Sequence, residues 1–473
     1  MAMIKFGTDG WRAIIAREFT FANCRIVAQG IASYMLSQQI AKKGIVVGYD
    51  NRFLSREFAE ECAQVLLGNG IKVFLLDKVT PTPVTAFAVQ IKNAGGALMI
   101  TASHNPPHYN GIKFIPEYAG PALPDVTDAI EREINRIIEG GKIYELNIEE
   151  AKRFDIYEEI NIDKEYINHL YSLLQINSFK KSHVKVVVDP MYGAGIGYLE
   201  KILTGLGCEV KVINNYRDAL FGASMPEPTD PILTDLKQAV VSYDAQIGLA
   251  LDGDADRFGI INHRGEFVTP NEFMSLLLHH LIKTRNFRGP VARSLATTHM
   301  LDRVARKNGL AVIETPVGFK YIGQCLREKG CMLGGEESGG LSIFGHIPEK
   351  DGILACLLAV EMLAYSERDL TDLKSELDLE YGPAESKRLD IEVKEEKKEE
   401  ILLNMTNYNP VSVAGHKVES QTRTEGLKVI MEEGSWFLLR PSGTEPLFRL
   451  YVETGDSKKM NTIIEEVRET LGL

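Results

Sequence analysis

The sequence of 473 residues has no long apolar run, no excess of basic residues and few cysteines. Its longest apolar stretch, residues 353–365, is interrupted by Glu361 and is too short to cross a bilayer, so we expect a core helix there. Lys5, Asp9 and Arg12 fall where a signal peptide would need apolar residues. We therefore expect neither a targeting segment nor a membrane partner.

The charge balance and the cysteines narrow the class of protein further. Asp and Glu number 65 against 53 Lys and Arg, which gives a net charge of −12. This balance disfavours a general nucleic-acid binder, although it leaves room for a local basic pocket. The six cysteines are scattered without a C-x-x-C pair, as is typical of reduced thiols in a cytosolic protein. We expect a cytoplasmic monomer or homodimer with no nucleic-acid partner.

Strand-like and helix-like segments alternate along most of the chain. The first copy of this pattern has strands at 45–49, 71–76 and 97–100 and helices at 55–67 and 84–91. Such a βαβαβ order implies a largely parallel sheet with both faces covered.

The pattern recurs at 184–251 and 291–333, and the chain then becomes strand-rich. The predicted fold is α/β, with three tandem domains of mixed or parallel sheets and a smaller C-terminal α+β domain around a central cleft. The predicted domains are residues 1–160, 161–266, 267–385 and 386–473.

Each copy ends in an unusual polar loop, and the first is TASHNPP at residues 101–107, the serine loop. It follows an apolar strand, and Asn, Pro and Gly crowd the chain through Gly111, so we expect Ser103 to be exposed and held in one place. The loop lacks the flanking glycines of a nucleophile elbow. A hydroxyl without an obvious activator can instead carry a phosphate. The alternative is a turn whose Ser and Asn only bond the backbone.

The second polar loop is DGDADR at residues 252–257, the acidic loop. Three carboxylates at alternate positions are hard oxygen donors that suit Mg²⁺, and they repel one another unless a cation lies between them. An EF-hand is excluded because Arg257 and His263 stand where that motif needs Gly and Glu. A phosphate on Ser103 would supply a further oxygen ligand. The alternative is a solvated acidic turn.

Two further loops suggest binding of a sugar phosphate. RPSGTEP at residues 440–446, the arginine loop, offers a guanidinium fork, hydroxyls and a glycine turn whose N–H groups can hold an anion. GEESGG at residues 335–340, the glycine-rich loop, exposes carboxylates and a hydroxyl that suit a polyol. The alternatives are a hairpin connection and a structural glycine loop.

Three basic residues lie on turns that can face the same ligand. Arg12 follows a Gly-Thr-Asp-Gly turn, Lys113 follows the serine loop, and Lys320 follows Thr-Pro-Val-Gly-Phe. Each can balance phosphate charge. An ordinary surface residue is the alternative for each of them.

Together these motifs resemble the α-D-phosphohexomutases, the family of phosphoglucomutase, phosphomannomutase and phosphoglucosamine mutase. The resemblance covers essentially the whole chain, with the motifs in the family's order. It implies that Ser103 carries the phosphoryl group. It implies a Mg²⁺ site formed by four residues: Ser103, Asp252, Asp254 and Asp256. It implies substrate contacts from eight residues: Lys320, Gly335, Glu336, Ser338, Arg440, Ser442, Gly443 and Thr444. It places four other residues in the cleft: Arg12, His104, Lys113 and Arg257.

The implied reaction interconverts hexose 1-phosphate and hexose 6-phosphate, with a hexose 1,6-bisphosphate as intermediate and primer. Many phosphomannomutases and phosphoglucosamine mutases carry a histidine where this chain has Gly340. The segment from His346 to Gly352 is similar to phosphoglucomutases, whereas RPSGTEP is shared with the aminosugar branch. Glucose phosphates are favoured, with mannose or glucosamine phosphates as alternatives, and either Lys113 or His104 moves the hydroxyl proton.

Two rival functions remain at this point. An aspartyl-nucleophile phosphatase would use the D-x-D at Asp252, but it leaves the serine and arginine loops without a function. A non-catalytic sensor of sugar phosphates would keep the cleft, but Ser103 and the three aspartates are intact.

Overall fold

The computed structural model describes residues 4–7, 10–442 and 447–473. Its strands, in chain order, are β1 (Trp11–Ile14), β2 (Ile45–Tyr49), β3 (Val73–Leu76), β4 (Gly96–Ile100), β5 (Tyr109–Pro116), β6 (Tyr157–Ile160), β7 (Lys185–Asp189), β8 (Glu209–Val212), β9 (Ile247–Leu251), β10 (Phe258–Asn262), β11 (Phe267–Val268), β12 (Val291–Ser294), β13 (Val312–Thr315), β14 (Leu333–Gly335), β15 (Leu341–Ile343), β16 (Glu385–Glu392), β17 (Ser412–Val413), β18 (His416–Thr422), β19 (Leu427–Met431), β20 (Trp436–Pro441) and β21 (Leu447–Thr454).

The helices of the described chain are α1 (Phe21–Ser37), α2 (Ser55–Gly68), α3 (Thr82–Lys92), α4 (Pro124–Ile138), α5 (Ile148–Arg153), α6 (Asp163–Leu173), α7 (Ile176–Phe179), α8 (Leu199–Gly205), α9 (Thr234–Tyr243), α10 (Pro270–Thr284), α11 (Met300–Lys307), α12 (Phe319–Lys329), α13 (Gly352–Ser366), α14 (Leu370–Tyr381), α15 (Glu395–Asn407) and α16 (Ser457–Leu471).

The chain forms two compact units. The first unit comprises Met1–Pro270 and Phe319–Leu370, and the second comprises Asn271–Gly318 and Thr371–Leu473. The serine, acidic and glycine-rich loops belong to the first unit, and the arginine loop belongs to the second. The bounds of the four domains proposed from the sequence stay predictions.

The first sheet of the first unit has the order β1-β5-β4-β2-β3-β6. Strands β4, β2, β3 and β6 pair in parallel, as expected from the βαβαβ pattern, whereas β5 is antiparallel to both β4 and β1. The Asn, Pro and Gly residues that follow Ser103 predict a turn through Gly111, but β5 begins at Tyr109. Polar residues such as Asn110 and Lys113 disguise this strand, and its pairing with two neighbours satisfies its backbone groups.

The second sheet of the first unit has the order β11-β10-β9-β7-β8. Strand β7 is parallel to β8 and β9, whereas β9, β10 and β11 form an antiparallel meander. Helix α9 covers one face and buries Leu236 and Val240 against Val187 and Ile261. This packing fixes the end of β9, where the acidic loop begins.

Helix α13 is the core helix expected from the apolar stretch. Every residue from Gly352 to Ala364 is buried. Asp351 caps the helix by accepting a hydrogen bond from the Leu354 N–H at 2.9 Å. The Gly352 N–H donates to the carbonyl of Ala255 at 3.2 Å, so the start of the helix is attached to the acidic loop. Within the described ranges, no helix combines the length and the hydropathy needed to cross a bilayer.

The second unit contains an antiparallel sheet of order β16-β21-β20-β19-β18-β17. Helices α15 and α16 contribute Ile401, Met405, Ile463 and Val467 to the core beneath this sheet. The charged run near residue 395 begins α15 and is largely exposed. The same unit holds the parallel pair of β12 and β13.

An ionic network of two buried cations and one partly exposed carboxylate connects these two parts of the second unit. Lys428, which is 2% exposed, donates to the carbonyl of Leu295 and to Oε2 of Glu314, both at 2.8 Å. Arg293 donates to the same carboxylate at 2.7 Å, and His299 Nε2 lies 3.1 Å from the Lys428 ammonium. Burial and, next, repulsion by Arg293 lower the pKa of Lys428 to about 8.

The Lys428 ammonium is expected to give the unfolding free energy a measurable pH dependence. In the unfolded chain this amine keeps its proton up to its ordinary pKa of 10.5, whereas in the folded chain it loses the proton near pH 8. The folded state therefore binds fewer protons between these values, so its stability rises with pH in that window. Relative to Lys428→Met, the unfolding free energy of the wild type should rise by about 2 kcal/mol from about pH 7 to pH 10.

Urea unfolding followed by circular dichroism at both pH values gives this difference. Lys458→Met, at an exposed position of α16, serves as the control. The difference in unfolding free energy between the wild type and this variant should be the same at pH 7 and pH 10, because both proteins keep Lys428. A wild-type advantage that stays constant from pH 7 to pH 10 would contradict the lowered pKa.

Candidate active site

Strand β4 leads into a tight and buried turn that holds Ser103. The Ser103 N–H donates to Oγ1 of Thr101 at 2.8 Å, and the Asn105 N–H donates to the carbonyl of Ala102 at 3.0 Å. Ser103 has a φ of +51°, in the left-handed region that costs a non-glycine residue about 1–2 kcal/mol. These bonds hold the serine in one place, but it is only 2% exposed, so the expectation of an exposed serine is wrong. The acidic loop packs against it, which no local pattern indicates.

The acidic loop is the turn between β9 and β10. It places one oxygen each of Asp252, Asp254 and Asp256 within 4.8 Å of one another. All three residues are buried, with at most 1% of each exposed. The structure therefore forms the compact carboxylate cluster that the alternate spacing predicted, and it excludes a solvated turn.

The serine and acidic loops are in direct contact. Ser103 Oγ donates to Oδ2 of Asp252 at 3.1 Å, although 149 positions separate the two residues. Gly253 permits this approach, because a Cβ there would lie 2.5 Å from the Ser103 carbonyl oxygen. Nδ1 of His104 lies 3.3 Å from the same Ser103 hydroxyl. A nucleophilic oxygen, a ring nitrogen and a carboxylate thus share one small volume.

Two lysines neutralise part of the carboxylate charge. Lys113 donates to Oδ2 of Asp254 at 3.0 Å and to Oδ2 of Asp256 at 3.3 Å. The Lys350 ammonium lies 3.1 Å from Oδ2 of Asp256, and the Thr82 hydroxyl donates to Asp254 at 2.7 Å. Burial alone would raise the pKa of Asp254, but Lys113 and Thr82 outweigh it and hold that pKa below its ordinary value. Asp254 is therefore ionised at neutral pH.

The remaining oxygens of the cluster fit a divalent cation. Oδ1 of Asp254 and Oδ1 of Asp256 are buried and have no hydrogen-bond partner among the residues that the structure describes. Burial and, next, the charges of these two neighbours raise the pKa of Asp252 well above its ordinary value. A bound cation would take the orphaned oxygens as ligands and remove the repulsion. The donor set, three hard carboxylates beside a hydroxyl, matches the preference of Mg²⁺.

The cationic residues expected in the cleft lie on these two loops or bind them. Nη1 of Arg12 donates to Oδ1 of Asn105 at 2.7 Å, and the Arg257 N–H donates to Oδ1 of Asp252 at 3.0 Å. Burial and, next, the charges of Arg257 and Arg12 lower the pKa of His104 well below its ordinary value of 6.5. His104 is therefore neutral at pH 7, and one ring nitrogen can accept a proton.

The glycine-rich loop connects β14 and β15 in the same unit. The Glu336 N–H donates to the Gly340 carbonyl at 2.9 Å, and the Phe258 N–H donates to the Gly339 carbonyl at 3.4 Å. The second bond joins this loop to the end of the acidic loop. Glu336 is 6% exposed and Ser338 is half-buried. Glu336 also acts electrostatically on Arg257, so this carboxylate lies near the acidic loop.

Lys350 lies between the acidic and glycine-rich loops. A Cβ at Gly340 would lie 2.5 Å from Cδ of Lys350, so the lysine side chain fills the space that a side chain at position 340 would need. Its ammonium lies 5.5 Å from the centre of the Phe319 ring. Lys320 follows Phe319 in the first turn of α12 and is 9% exposed. A histidine at position 340 would therefore collide with the side chain of Lys350.

The arginine loop is partly described, in the second unit. Arg440 on β20 pairs directly with Arg449 on β21. Like charges opposite each other are destabilising. Oδ1 of Asp390 lies 4.0 Å from Nε of Arg449 and offsets part of this repulsion, and a bound anion would offset it further. The Ser442 N–H donates to the carbonyl of Leu447 at 2.9 Å. Two predicted phosphate contacts lie outside the described residues: Gly443 and Thr444.

Four residues of these sites were not predicted from the sequence: Arg52, Thr82, Lys350 and Arg449. Arg52 and Thr82 each follow a parallel strand, β2 and β3, and ligands collect beyond the carboxyl ends of such strands. That signal could have found both of them. Lys350 and Arg449 can be identified only from the folded structure, because they are recognised by their neighbours Gly340 and Arg440.

Family models agree with this architecture along the chain. The alpha/beta/alpha domains I, II and III of phosphoglucomutase/phosphomannomutase match residues 3–140, 164–265 and 269–380, and the C-terminal domain matches residues 390–470. These matches confirm the predicted α/β class with a smaller C-terminal domain. They define the chain as a phosphohexomutase, an intramolecular phosphotransferase.

Relatives and solved structures give the same result. A phosphoglucomutase/phosphomannomutase of Thermococcus kodakarensis is 31% identical over 97% of this chain and 96% of its own length. A phosphoglucosamine mutase of Syntrophomonas wolfei is 27% identical over 98% of both chains. A crystal structure from Thermus thermophilus, of a protein assigned to the phosphomannomutases, is 32% identical over all of both chains, with a TM-score of 0.86. This chain belongs to the phosphoglucomutase/phosphomannomutase family.

Replacing one carboxylate of the cluster should weaken metal binding. Asp254→Asn removes a negative charge and exchanges one carboxylate oxygen for an amide nitrogen, so the dissociation constant for Mg²⁺ should rise about 10-fold or more. Isothermal titration of the metal-free protein with Mg²⁺ measures it without any turnover.

The control is Asp235→Asn, at an exposed position in the first turn of α9, which should bind Mg²⁺ as the wild type does. Equal Mg²⁺ affinity in Asp254→Asn and Asp235→Asn would show that the cluster is not the metal site.

Proposed function

We propose that this enzyme interconverts hexose 1-phosphate and hexose 6-phosphate, with glucose favoured, through a phosphoserine at Ser103. The observation that carries the proposal is the 3.1 Å hydrogen bond between Ser103 Oγ and Asp252. It sets the phosphoryl carrier against a carboxylate cluster suited to a cation, in a buried volume from which water is largely excluded. Exclusion of water matters because water would otherwise hydrolyse the phosphoserine.

In the first half-reaction, the free hydroxyl of the bound hexose monophosphate attacks the phosphorus on Ser103. The bond from phosphorus to Oγ breaks, and the new bond to the sugar oxygen forms. The proton of the attacking hydroxyl passes by way of His104 to the departing Oγ, and a hexose 1,6-bisphosphate results. When bound, Mg²⁺ offsets the negative charge on the transferring phosphoryl group. Lys113 reaches two carboxylates of the cluster and adds positive charge at the same place.

In the second half-reaction, the bisphosphate turns over and returns its other phosphate to Ser103. The hydroxyl proton of Ser103 must leave as Oγ attacks. We assign its transfer to His104, because a neutral Nδ1 lies 3.3 Å from Oγ. The sugar oxygen that loses phosphate takes up a proton, which closes the cycle. A bisphosphate of the same kind serves as primer for an enzyme whose Ser103 is unphosphorylated.

Turning over requires a grip that accepts either phosphate. Arg440 and Arg449, which are directly opposite each other on neighbouring strands, support this role, since guanidinium groups read the charge of an anion and not the stereochemistry of a sugar. Glu336 and Ser338 can select the sugar through its hydroxyls, with Arg12, Arg257 and Lys320 as further cationic contacts.

Three sugars remain candidates for the preferred substrate. Gly340 with the side chain of Lys350 across it supports glucose, because the sequence around Lys350 is similar to phosphoglucomutases. Mannose and glucosamine phosphates are equally compatible with the names of the relatives.

All six cysteines are free thiols, which supports a reducing cytoplasmic compartment.

Ser103→Ala should lose mutase turnover by about 10⁴-fold or more, because the oxygen that would carry the phosphoryl group is gone. Glucose 1-phosphate should still bind, since the substitution removes only the hydroxyl. Coupled turnover assays and calorimetric titration measure the two quantities. After incubation with glucose 1,6-bisphosphate, mass spectrometry of the wild type should find phosphate on Ser103.

Ser37→Ala, at an exposed position of α1, is the matched control and should keep full turnover. Wild-type turnover in Ser103→Ala would remove Ser103 as the carrier. Phosphate trapped on Asp252 would favour the aspartyl phosphatase instead, and wild-type binding without isomerisation would favour a sensor.

Arg440→Ala should weaken binding of glucose, mannose and glucosamine 1-phosphates by a similar factor of about 10 to 100, since a hydrogen-bonded charge is lost whichever sugar is bound. Turnover of the three sugars by the wild type, measured in the same series, ranks the substrates. Arg423→Ala, an exposed arginine of the same unit, is the control. A loss confined to one sugar would assign Arg440 to sugar recognition.

A further inference from the structure

Arg52 is a fully buried arginine beneath the serine loop. It follows strand β2 in the turn that leads into α2, and none of its side chain is exposed. The sequence resemblance assigned it no role. Burying a guanidinium is costly unless its donors and its charge are matched.

The two terminal nitrogens of Arg52 donate to the backbone of the serine loop and the residues that follow it. Nη2 donates to the carbonyls of Ser103 and Asn105, both at 2.6 Å. Nη1 donates to the carbonyls of Pro106 and Tyr109 at 2.9 and 3.0 Å. One planar group therefore holds four carbonyls, and the short distances are those of charge-assisted hydrogen bonds.

The guanidinium is itself fixed from two sides. Oδ2 of Asp50 lies 3.3 Å from Nε of Arg52, and Oδ1 of Asp50 accepts from the Arg52 N–H at 3.0 Å and from the Ser55 hydroxyl at 2.8 Å. The Phe221 ring lies over the guanidinium, with its centre 5.1 Å from Cζ. Both contacts restrict the plane of the fork.

The serine loop needs such support because Ser103 has a strained backbone. A φ of +51° persists at a non-glycine residue only when the surroundings determine it. Arg52 binds the carbonyl of Ser103 itself, which sets the peptide plane that follows the strained residue. Since a trans peptide holds its N–H opposite to its C=O, the direction of the His104 N–H is set as well.

We propose that Arg52 is a positioning residue for phosphoryl transfer: its planar fork holds the strained serine loop so that Ser103 Oγ faces the acidic loop. The proposal rests on the proposed function of Ser103 and deepens it. A lysine would keep the charge but not the fork, because one ammonium cannot reach four carbonyls spread over the turn.

The test is Arg52→Lys, assayed for mutase turnover and for phosphorylation of Ser103 by glucose 1,6-bisphosphate. A displacement of the reacting oxygen by about 1 Å lowers rates about 100-fold, so we expect that loss in kcat and in the rate of Ser103 phosphorylation. KM for the hexose phosphate and the Mg²⁺ dissociation constant should change by less than about threefold, because Arg52 acts through the loop backbone and not on either ligand.

Arg293→Lys is the matched control, since Arg293 is a buried arginine with carboxylate partners in the second unit. It should lower the thermal unfolding temperature and leave kcat unchanged. A folded Arg52→Lys with wild-type kcat would overturn the proposal, and so would an equal loss of kcat in both variants.

Should Arg52→Lys fail to fold, Asp50→Asn tests the same proposal with a smaller structural change. It keeps the shape of Asp50 but removes the charge that orients the fork, and we expect kcat to fall about 10-fold at constant KM. Unchanged kcat in Asp50→Asn would overturn the proposal. A wild type that never phosphorylates Ser103 would instead overturn the proposed function, so the two failures are distinguishable.

Discussion

Repulsion between three buried carboxylates is the constraint on which the site of the first unit depends. Asp252, Asp254 and Asp256 lie too close together to ionise fully without positive charge. Lys113 and Lys350 supply part of it from segments far apart in the sequence, and two oxygens that lack hydrogen-bond partners in the described chain leave room for a cation. The fold therefore has to bring distant segments together before the acidic loop becomes stable, and the same convergence creates the reactive centre.

Strain in the serine loop is the complementary feature. The hydroxyl of Ser103 reaches the acidic loop from a backbone conformation that a free turn would avoid. A buried guanidinium and short backbone hydrogen bonds maintain that conformation in place of local sequence preference. Stability and reactivity are thus coupled here, because the bonds that hold the turn also aim the oxygen.

The second unit also contains buried charged groups that are held by oppositely charged partners, but they join two parts of the fold. Lys428 and Arg293, both buried, form an ionic network with the partly exposed carboxylate of Glu314, so each charge has a partner. There the network joins β12 and β13 to the C-terminal sheet, and the pKa of Lys428 shows that burial still opposes its charge. Buried charge in this protein is retained where distant elements must be held in one arrangement.

Local pattern was enough to predict the α/β class and the close grouping of the three aspartates, because strand periodicity and the spacing of polar residues after a strand are properties of short segments. The packed fold was needed to show that Ser103 is buried, that Arg52 supports it, and that Lys350 faces Gly340. Strand β5 was also not predicted, because its polar sequence becomes a strand only by pairing with β4 and β1. Pairings between residues so far apart depend on how complete elements pack, and no short stretch of sequence records that packing.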